Sequence, residues 1–408
     1  MTQNSGRAVT VLLTHDGEPL GTVGPFTVEA PYWNDVAPVT AHLESLLGSP
    51  TVVLRLLDVD GGADGRHGHA TYHAETLARP VRTDALRGAP DAPWAALAPH
   101  AKRADWATPS GLREALDWAD TRLRALGRPP VGPVRQVKTW NLAGLVRIPT
   151  AGGPAWLKTG PRFALCESVA IGLFASVDAP FAPTVLAADP DRRRVLLDHV
   201  PGEDCWGPSA GVVATTVPRL ARAQAALSLR HPTAPDGLPD RSPRLLIDQV
   251  HRLLDGPSAA ELTADELSRA HRAAARLPAL VADLEACGLP NTVLHGDFHP
   301  GNWRSDSRQT TLVDFADSAF GHPAVDGLRP RPFTGAERWT QAADAWTTAW
   351  SELVPGCDPA RALTLAQPLV HFGYAVRYQE FLDGIEPSEQ RYHAGDPAAE
   401  IRAALACD

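Results

Sequence analysis

The stretch Val293-Leu-His-Gly-Asp-Phe-His-Pro-Gly-Asn-Trp303, followed by Thr311-Leu-Val-Asp-Phe-Ala-Asp317, decides how this sequence is read. An apolar run leads into His295, Asp297 and Asn302, and a second run, Thr311–Val313, ends at Asp314. Pro300–Gly301 forces a turn, and Arg304–Gln309 supplies the polar tip of a hairpin. Asp297 precedes Asn302 by five positions, and Asp314 comes twelve later. Phosphoryl transfer needs this set of oxygens. One carboxylate orients a hydroxyl and accepts its proton, while a second carboxylate and a carboxamide hold Mg²⁺ on nucleotide phosphates.

The five-residue interval is that of the kinase catalytic loop HxDxxxxN, and Asp314 stands where a metal-binding aspartate follows a strand. His295-Gly-Asp-Phe-His-Pro-Gly-Asn302 resembles the catalytic loop of the aminoglycoside phosphotransferase and choline kinase family, which has a protein-kinase-like fold. Downstream, Gly321-His-Pro-Ala-Val-Asp326 resembles that family's Gly-Asp-Pro segment, except that His322 replaces the usual acidic residue and is not read as a ligand. The resemblance gives His295 a buttressing role in the loop; with no third nearby ligand, zinc is disfavoured. His299 is undecided, and Asp317 either supports the magnesium site or caps the next segment of chain.

A kinase-like fold requires a β-rich lobe upstream, with a lysine on its third strand and a glutamate on the next helix. Val134–Ile148, a turn at Pro149–Pro154 and the strand Ala155-Trp-Leu-Lys158 supply that lobe, and Lys158 is expected to neutralise phosphate charge. Glu167 is the first carboxylate after it, on an otherwise apolar helical stretch, and is expected to pair with Lys158. The family resemblance implies that the loop Thr139–Gly144 covers the phosphates, with Thr139 and Asn141 touching them. Val195-Leu-Leu-Asp-His-Val-Pro-Gly202 resembles the hinge between lobes, where adenine or guanine bonds backbone groups at Asp198, His199 and Val200. The resemblance also places the acceptor on late helices, so Tyr374, Tyr378 and Glu380 are candidate acceptor contacts. The acidic residues Asp383, Glu386 and Glu389 suit a cationic acceptor or form a solvated loop after a core helix.

Working outward, 408 residues suggest two or three units. The expected division is a small α/β domain (1–108), a linker helix (109–130), a kinase-like N-lobe (131–201) and a helical C-lobe (202–408). In the first domain, Ala8–Thr14, Leu20–Val28, Thr51–Val59 and Ala70–Thr76 read as strands. Val36–Leu47 reads as a helix capped by Asn34 or Asp35 and stopped by Gly48. This order faintly resembles a degenerate Nudix fold. Ser45 and Leu46 occupy positions where Nudix chemistry needs glutamates, so the domain is expected to be a scaffold, a dimerisation surface or a lid.

Composition removes other classes. A net charge of −9 argues against a dedicated nucleic-acid binder. No apolar run reaches the length of a membrane span. Five scattered cysteines without CxxC spacing fit reduced thiols in a cytoplasmic protein. The expectation is an α+β protein with a bilobal, protein-kinase-like fold: a Mg²⁺-dependent kinase that moves the γ-phosphate of ATP or GTP to a hydroxylated small molecule. By resemblance, an antibiotic such as an aminoglycoside comes first. A primary metabolite (an amino alcohol or a sugar), a peptide serine or threonine, or a silent nucleotide-binding sensor are the alternatives. A homodimer is one option for assembly.

Overall fold

A computed structural model describes residues 6–88 and 94–407. The chain divides into two compact units. The first comprises Met1–Ala164, Leu186–His199 and Phe381–Ala394; the second comprises Leu165–Val185, Val200–Glu380 and Gly395–Asp408.

Two sheets build the first unit. Strands β1 (Arg7–His15), β2 (Glu18–Val28), β3 (Thr51–Asp60) and β4 (His69–Thr76) form a sheet of order β2-β1-β4-β3, in which only β1 and β4 run parallel. Helix α1 (Ala37–Leu47) seals one face, bringing Val39, Leu43 and Leu47 against Val9, Val11, Val53 and Tyr72. Alternating β-branched residues make one face of these strands apolar, and the helix covers it. The cap differs from expectation: Val36 is the N-cap and makes no side-chain cap, while Pro38 in the first turn presets the backbone. Gly48 ends the helix at φ +66, as expected of a C-terminal glycine. Arg7 is buried, donating to the Tyr72 hydroxyl at 3.2 Å and to the carbonyl oxygens of Ala30 and Asp35.

The second sheet holds β5 (Arg135–Trp140), β6 (Ala143–Ile148), β7 (Ala155–Thr159), β8 (Val185–Asp189) and β9 (Arg194–Asp198) in the order β5-β6-β7-β9-β8. Helix α2 (Pro109–Ala125), capped by Thr108, lays Ala115, Ala119 and Leu123 on Val146, Ile148, Leu157 and Leu196. At an irregularity in β3, the Gln136 side chain accepts from the Val53 N–H at 2.8 Å and donates to its carbonyl at 2.7 Å. A ladder interruption thus keeps both backbone groups satisfied. The segment Phe381–Ala394 joins this unit through Glu386, which is bound by Arg55 at 3.1 Å and Arg103 at 3.0 Å. Glu389 accepts from the Leu56 N–H at 3.2 Å. Glu386 and Glu389 are therefore buried, which corrects the solvated-loop reading and removes them from the acceptor candidates.

The second unit is mainly helical. Its long members are α4 (Ala210–Arg230), α5 (Pro243–Leu254), α6 (Ala264–Glu285), α8 (Ala336–Leu353), α9 (Pro359–Gly384, as far as Glu380) and α10 (Asp396–Leu405), with the shorter α3 (Ser168–Val177) and α7 (Ala324–Leu328). Among the described residues no helix is long and apolar enough to cross a membrane. Short strands interrupt the helices where the catalytic motif falls. β11 (Thr292–Leu294) pairs with β14 (Ala319–Gly321), while β12 (Trp303–Ser305) pairs with β13 (Thr310–Leu312) and with β10 (Glu203–Asp204).

Candidate active site

The catalytic motif lies in the loop between β11 and β12. Gly296 makes the first bend at φ +84, and a Cβ there would stand 2.0 Å from the Asp317 carbonyl oxygen. Only glycine meets both demands. His295 is fully buried: its Nδ1 accepts from the Asp297 N–H at 3.3 Å, and its Nε2 lies 3.1 Å from the Val313 carbonyl. The network therefore assigns the ring proton to Nε2. Burial pushes the ring's pKa down to about 4, so it stays neutral and ties the loop to the strand before Asp314.

Asp297 sits at the centre. Arg329 holds Oδ1, with Nε and Nη2 each at 2.7 Å. Oδ2 accepts from the Asn302 amide at 2.9 Å and faces His299 Nε2 at 3.2 Å. The second ring nitrogen of His299 accepts from the Gly301 N–H at 3.1 Å, which leaves Nε2 as a donor. Burial alone would raise the pKa of Asp297, but the adjacent Arg329 and the His299 contact hold its carboxyl well below the usual range.

Asn302 is the second fixed point. Its amide nitrogen donates to both the backbone oxygen and the carboxylate of Asp297, so its amide oxygen is turned away from that contact. The Val313 N–H donates to the Asn302 carbonyl at 2.9 Å, extending the Trp303–Leu312 register by one pair. Asp314 is the next residue. It is exposed and left-handed at φ +65, a conformation that aspartate tolerates better than most side chains. Two hard oxygen donors one residue apart across a hairpin suit Mg²⁺, which takes few protein ligands and keeps waters and phosphate oxygens.

Glu167 is the N-cap residue of α3, is buried, and accepts from the Phe315 N–H at 3.1 Å. It is thus fastened to the residue following Asp314 within the second unit. Lys158 belongs to the first unit, half-buried in β7 and in register with Leu145 and Val195. In the same unit Thr139 is buried in β5, with its hydroxyl facing the Leu54 carbonyl at 3.5 Å. Asn141 occupies the β5–β6 turn, 2% exposed, and neither of its amide atoms has a hydrogen-bond partner among the described residues. Asp198 is held by Arg128 at 2.9 Å and by the His199 N–H; the first unit's middle segment ends at His199, and the second unit resumes at Val200. The Val200 carbonyl accepts from Arg304 at 3.3 Å.

Of the late-helix candidates, Tyr374 lies under Arg329, whose guanidinium carbon is 4.8 Å from the ring centroid. Burial pushes the Tyr374 and Tyr378 hydroxyls well above their ordinary pKa. Glu380 is bound by Arg241 at 2.6 Å and Arg377 at 3.1 Å, so its charge is already compensated.

The sequence did not single out two functional groups. Arg329 has no motif around it beyond its place three residues after Asp326. Asp326 closes the Gly321–Asp326 stretch; it is fully buried and accepts from the N–H groups of His295 and Gly296 at 2.7 and 2.8 Å and from Gln224 at 2.8 Å. It clamps the first turn of the catalytic loop.

Residues 170–363 match the phosphotransferase enzyme family. No curated relative matches the chain. A choline kinase from Streptococcus pneumoniae has a similar fold, with TM-score 0.51 and 14% identity, covering 72% of this chain and 99% of its own. So has a protein described as of the aminoglycoside phosphotransferase type, from Ralstonia eutropha, with TM-score 0.50 and 16% identity over 72% of this chain and 97% of its own. The matched segment contains Asp297, Asn302, Asp314 and Arg329, and with it this chain is a phosphotransferase that acts on a hydroxyl acceptor, built on a protein-kinase-like fold.

Proposed function

We propose that this chain transfers the terminal phosphate of ATP or GTP to a hydroxyl of a small hydroxylated natural product, an antibiotic being the first candidate. The observation that carries this reading is the asymmetry of Asp297. Arg329 makes two 2.7 Å contacts to Oδ1, while Oδ2 is held by Asn302 at 2.9 Å and His299 at 3.2 Å and is the oxygen that a hydroxyl would approach, displacing the longer contact. A carboxylate held so firmly ionised is a weak base. Its main work is to orient the hydroxyl. The proton moves late, once bonding to phosphorus has made the oxygen acidic, as a loose transition state permits.

Asn302 and Asp314 would hold Mg²⁺, which when bound with the nucleotide neutralises charge on the phosphate oxygens. Lys158 is assigned to the phosphates for its place in β7, and Asn141 for its buried, unpartnered amide. We do not assign Thr139, because its hydroxyl faces Leu54. Contacts to the purine fall to backbone groups around Asp198–Val200, since the Asp198 carboxylate is taken by Arg128. No disulfide joins Cys166, Cys205, Cys287, Cys357 or Cys407 among the described residues, which fits a cytoplasmic location.

The test is transfer from Mg·ATP and Mg·GTP to a panel of aminoglycosides, other glycosylated natural products, sugars and amino alcohols, read by mass spectrometry. The reading requires a product one phosphate heavier that Asp297→Ala fails to make. Tight Mg-nucleotide binding with a silent panel would favour a nucleotide sensor instead.

A further inference from the structure

The open side of the catalytic loop carries a stack of rings whose outer members, Trp206 and Phe333, the Asp297–Asn302 chemistry does not use. Trp206 lies 5.3 Å from the His299 ring and 6.0 Å from Phe333, while His299 and Phe333 stack at 4.3 Å with 22° between their planes. Arg329 covers Phe333 on one side and Tyr374 on the other, each at 4.8 Å. His299 and Arg329 are also the two groups that grip Asp297, so the stack ends at the reacting oxygen. All of these residues belong to the second unit.

Trp206 is the outer member, and its placement is built rather than casual. The Cys205 N–H donates to the carbonyls of Pro300 and Trp303 at 3.0 and 2.9 Å, which holds the preceding residue on the loop. Gly301 clears space for the indole; a Cβ there would stand 2.1 Å from it. Yet Trp206 remains 59% exposed. A fixed aromatic face left open to water beside a nucleophile site is what small-molecule pockets present. The Tyr374 hydroxyl, at the inner end, is buried without a hydrogen-bond partner among the described residues.

Charge narrows the occupant. Five carboxylates of this unit are tied to a guanidinium: Asp297 to Arg329, Asp204 to Arg304, Asp317 and Glu380 to Arg377, and Glu337 to Arg338. The faces of Phe333 and Tyr374, which could attract a cation, already hold Arg329. A polycationic amino sugar would meet the like charge of Arg329 on these ring faces.

We propose that the open face of Trp206, backed by His299 and Phe333, forms the acceptor platform, and that it takes a neutral sugar ring, free or within a glycoside, by its apolar C–H face. One ring hydroxyl then turns to Asp297 Oδ2. The sugar oxygen–phosphorus bond forms as the bond to the nucleoside diphosphate breaks, and the hydroxyl proton passes to Asp297. This inference rests on the phosphotransferase reading above.

The test pairs neutral glycosides with aminoglycosides as acceptors for the wild-type chain, Trp206→Ala and Trp206→Phe. Saturation-transfer NMR measures sugar binding without nucleotide, and thermal unfolding checks that the variants fold. The expected result is transfer to a neutral sugar, with Trp206→Ala raising the acceptor KM about tenfold. The KM for ATP should stay within about twofold and Trp206→Phe should recover most of the loss. Preference for an aminoglycoside would overturn the proposal, and so would a Trp206→Ala effect on ATP rather than on the acceptor. Transfer with an unchanged acceptor KM would sink the platform and spare the kinase. Sugar binding that disappears in Trp206→Ala, in a chain that transfers no phosphate, would sink the kinase and spare the platform.

Discussion

Each unit buries a cluster of arginine and carboxylate; burial pushes the carboxyl up in both, and the outcomes differ because of what touches it. In the second unit Arg329 touches Asp297 directly, and the carboxyl is held well below its ordinary pKa against the pull of burial. In the first unit Arg55 and Arg103 are taken by Glu386, so Glu389 is left with the Leu56 N–H. Burial, with the Glu386 charge nearby, pushes Glu389 up to about 8. Asp326 is the useful third case. It receives three N–H donors and is still pushed up to about 7, by burial first and by the charge of Asp297 besides. Neutral donors satisfy a buried carboxylate; a guanidinium in direct contact keeps it ionised. The contrast is between a carboxylate gripped by a guanidinium, Asp297, and one fastened to a backbone N–H, Glu389.

That distinction can be broken by substitution. The largest expected effect is on turnover: Asp297→Asn should lower kcat by about 10²–10⁴-fold. Full activity in this variant would make the ionised cluster a structural one. Next in size, Arg55→Ala leaves Glu386 buried with Arg103 alone and should cost about 3–5 kcal/mol in urea unfolding of the full chain. A shift under about 1 kcal/mol would mean that Arg103 suffices.

The smallest effect concerns pH. Glu389 titrates at about 8 in the folded chain, above about 4.3 for an unfolded glutamate. Its contribution to stability is full below the unfolded value and is lost as pH rises toward 8, by at most about 1.4 kcal/mol per pH unit. Glu389→Gln keeps an oxygen for the Leu56 N–H and should flatten that decline, giving a more stable chain than wild type at pH 8. Asp297 carries the opposite sign. Its contribution is present above about pH 4 and lost as pH falls, so the stability gap between wild type and Asp297→Asn should close in acid. Parallel pH slopes for the two variants would erase the comparison.

Much of the site was legible in the sequence because covalent spacing fixes it. His295, Asp297, Asn302 and Asp314 lie within twenty residues, and two short strand pairings bring them together. The strands of the first unit were legible from alternating apolar residues. Arg329 was not, because an arginine beside a proline has no pattern until its partner is seen. Trp206 was hidden for the same reason: Gly301, which admits it, reads in sequence as part of a turn. The burial of Glu386 depends on Arg55, more than three hundred residues away, and no local pattern reports it. A short acidic run after a helix looks solvated unless its distant arginines are known. Thr139 shows the same limit in reverse, since its loop position said nothing about the Leu54 carbonyl facing it.

The most direct test of the central claim is calorimetric titration of Mg·ATP into wild type, Asp297→Asn and Asp314→Asn, with and without magnesium. The account predicts that Asp297→Asn binds nucleotide within a few-fold of wild type and keeps its magnesium dependence. Asp314→Asn should lose that dependence. Equal loss of Mg-nucleotide binding in both variants would contradict the division between an acceptor-orienting carboxylate and a metal-holding one.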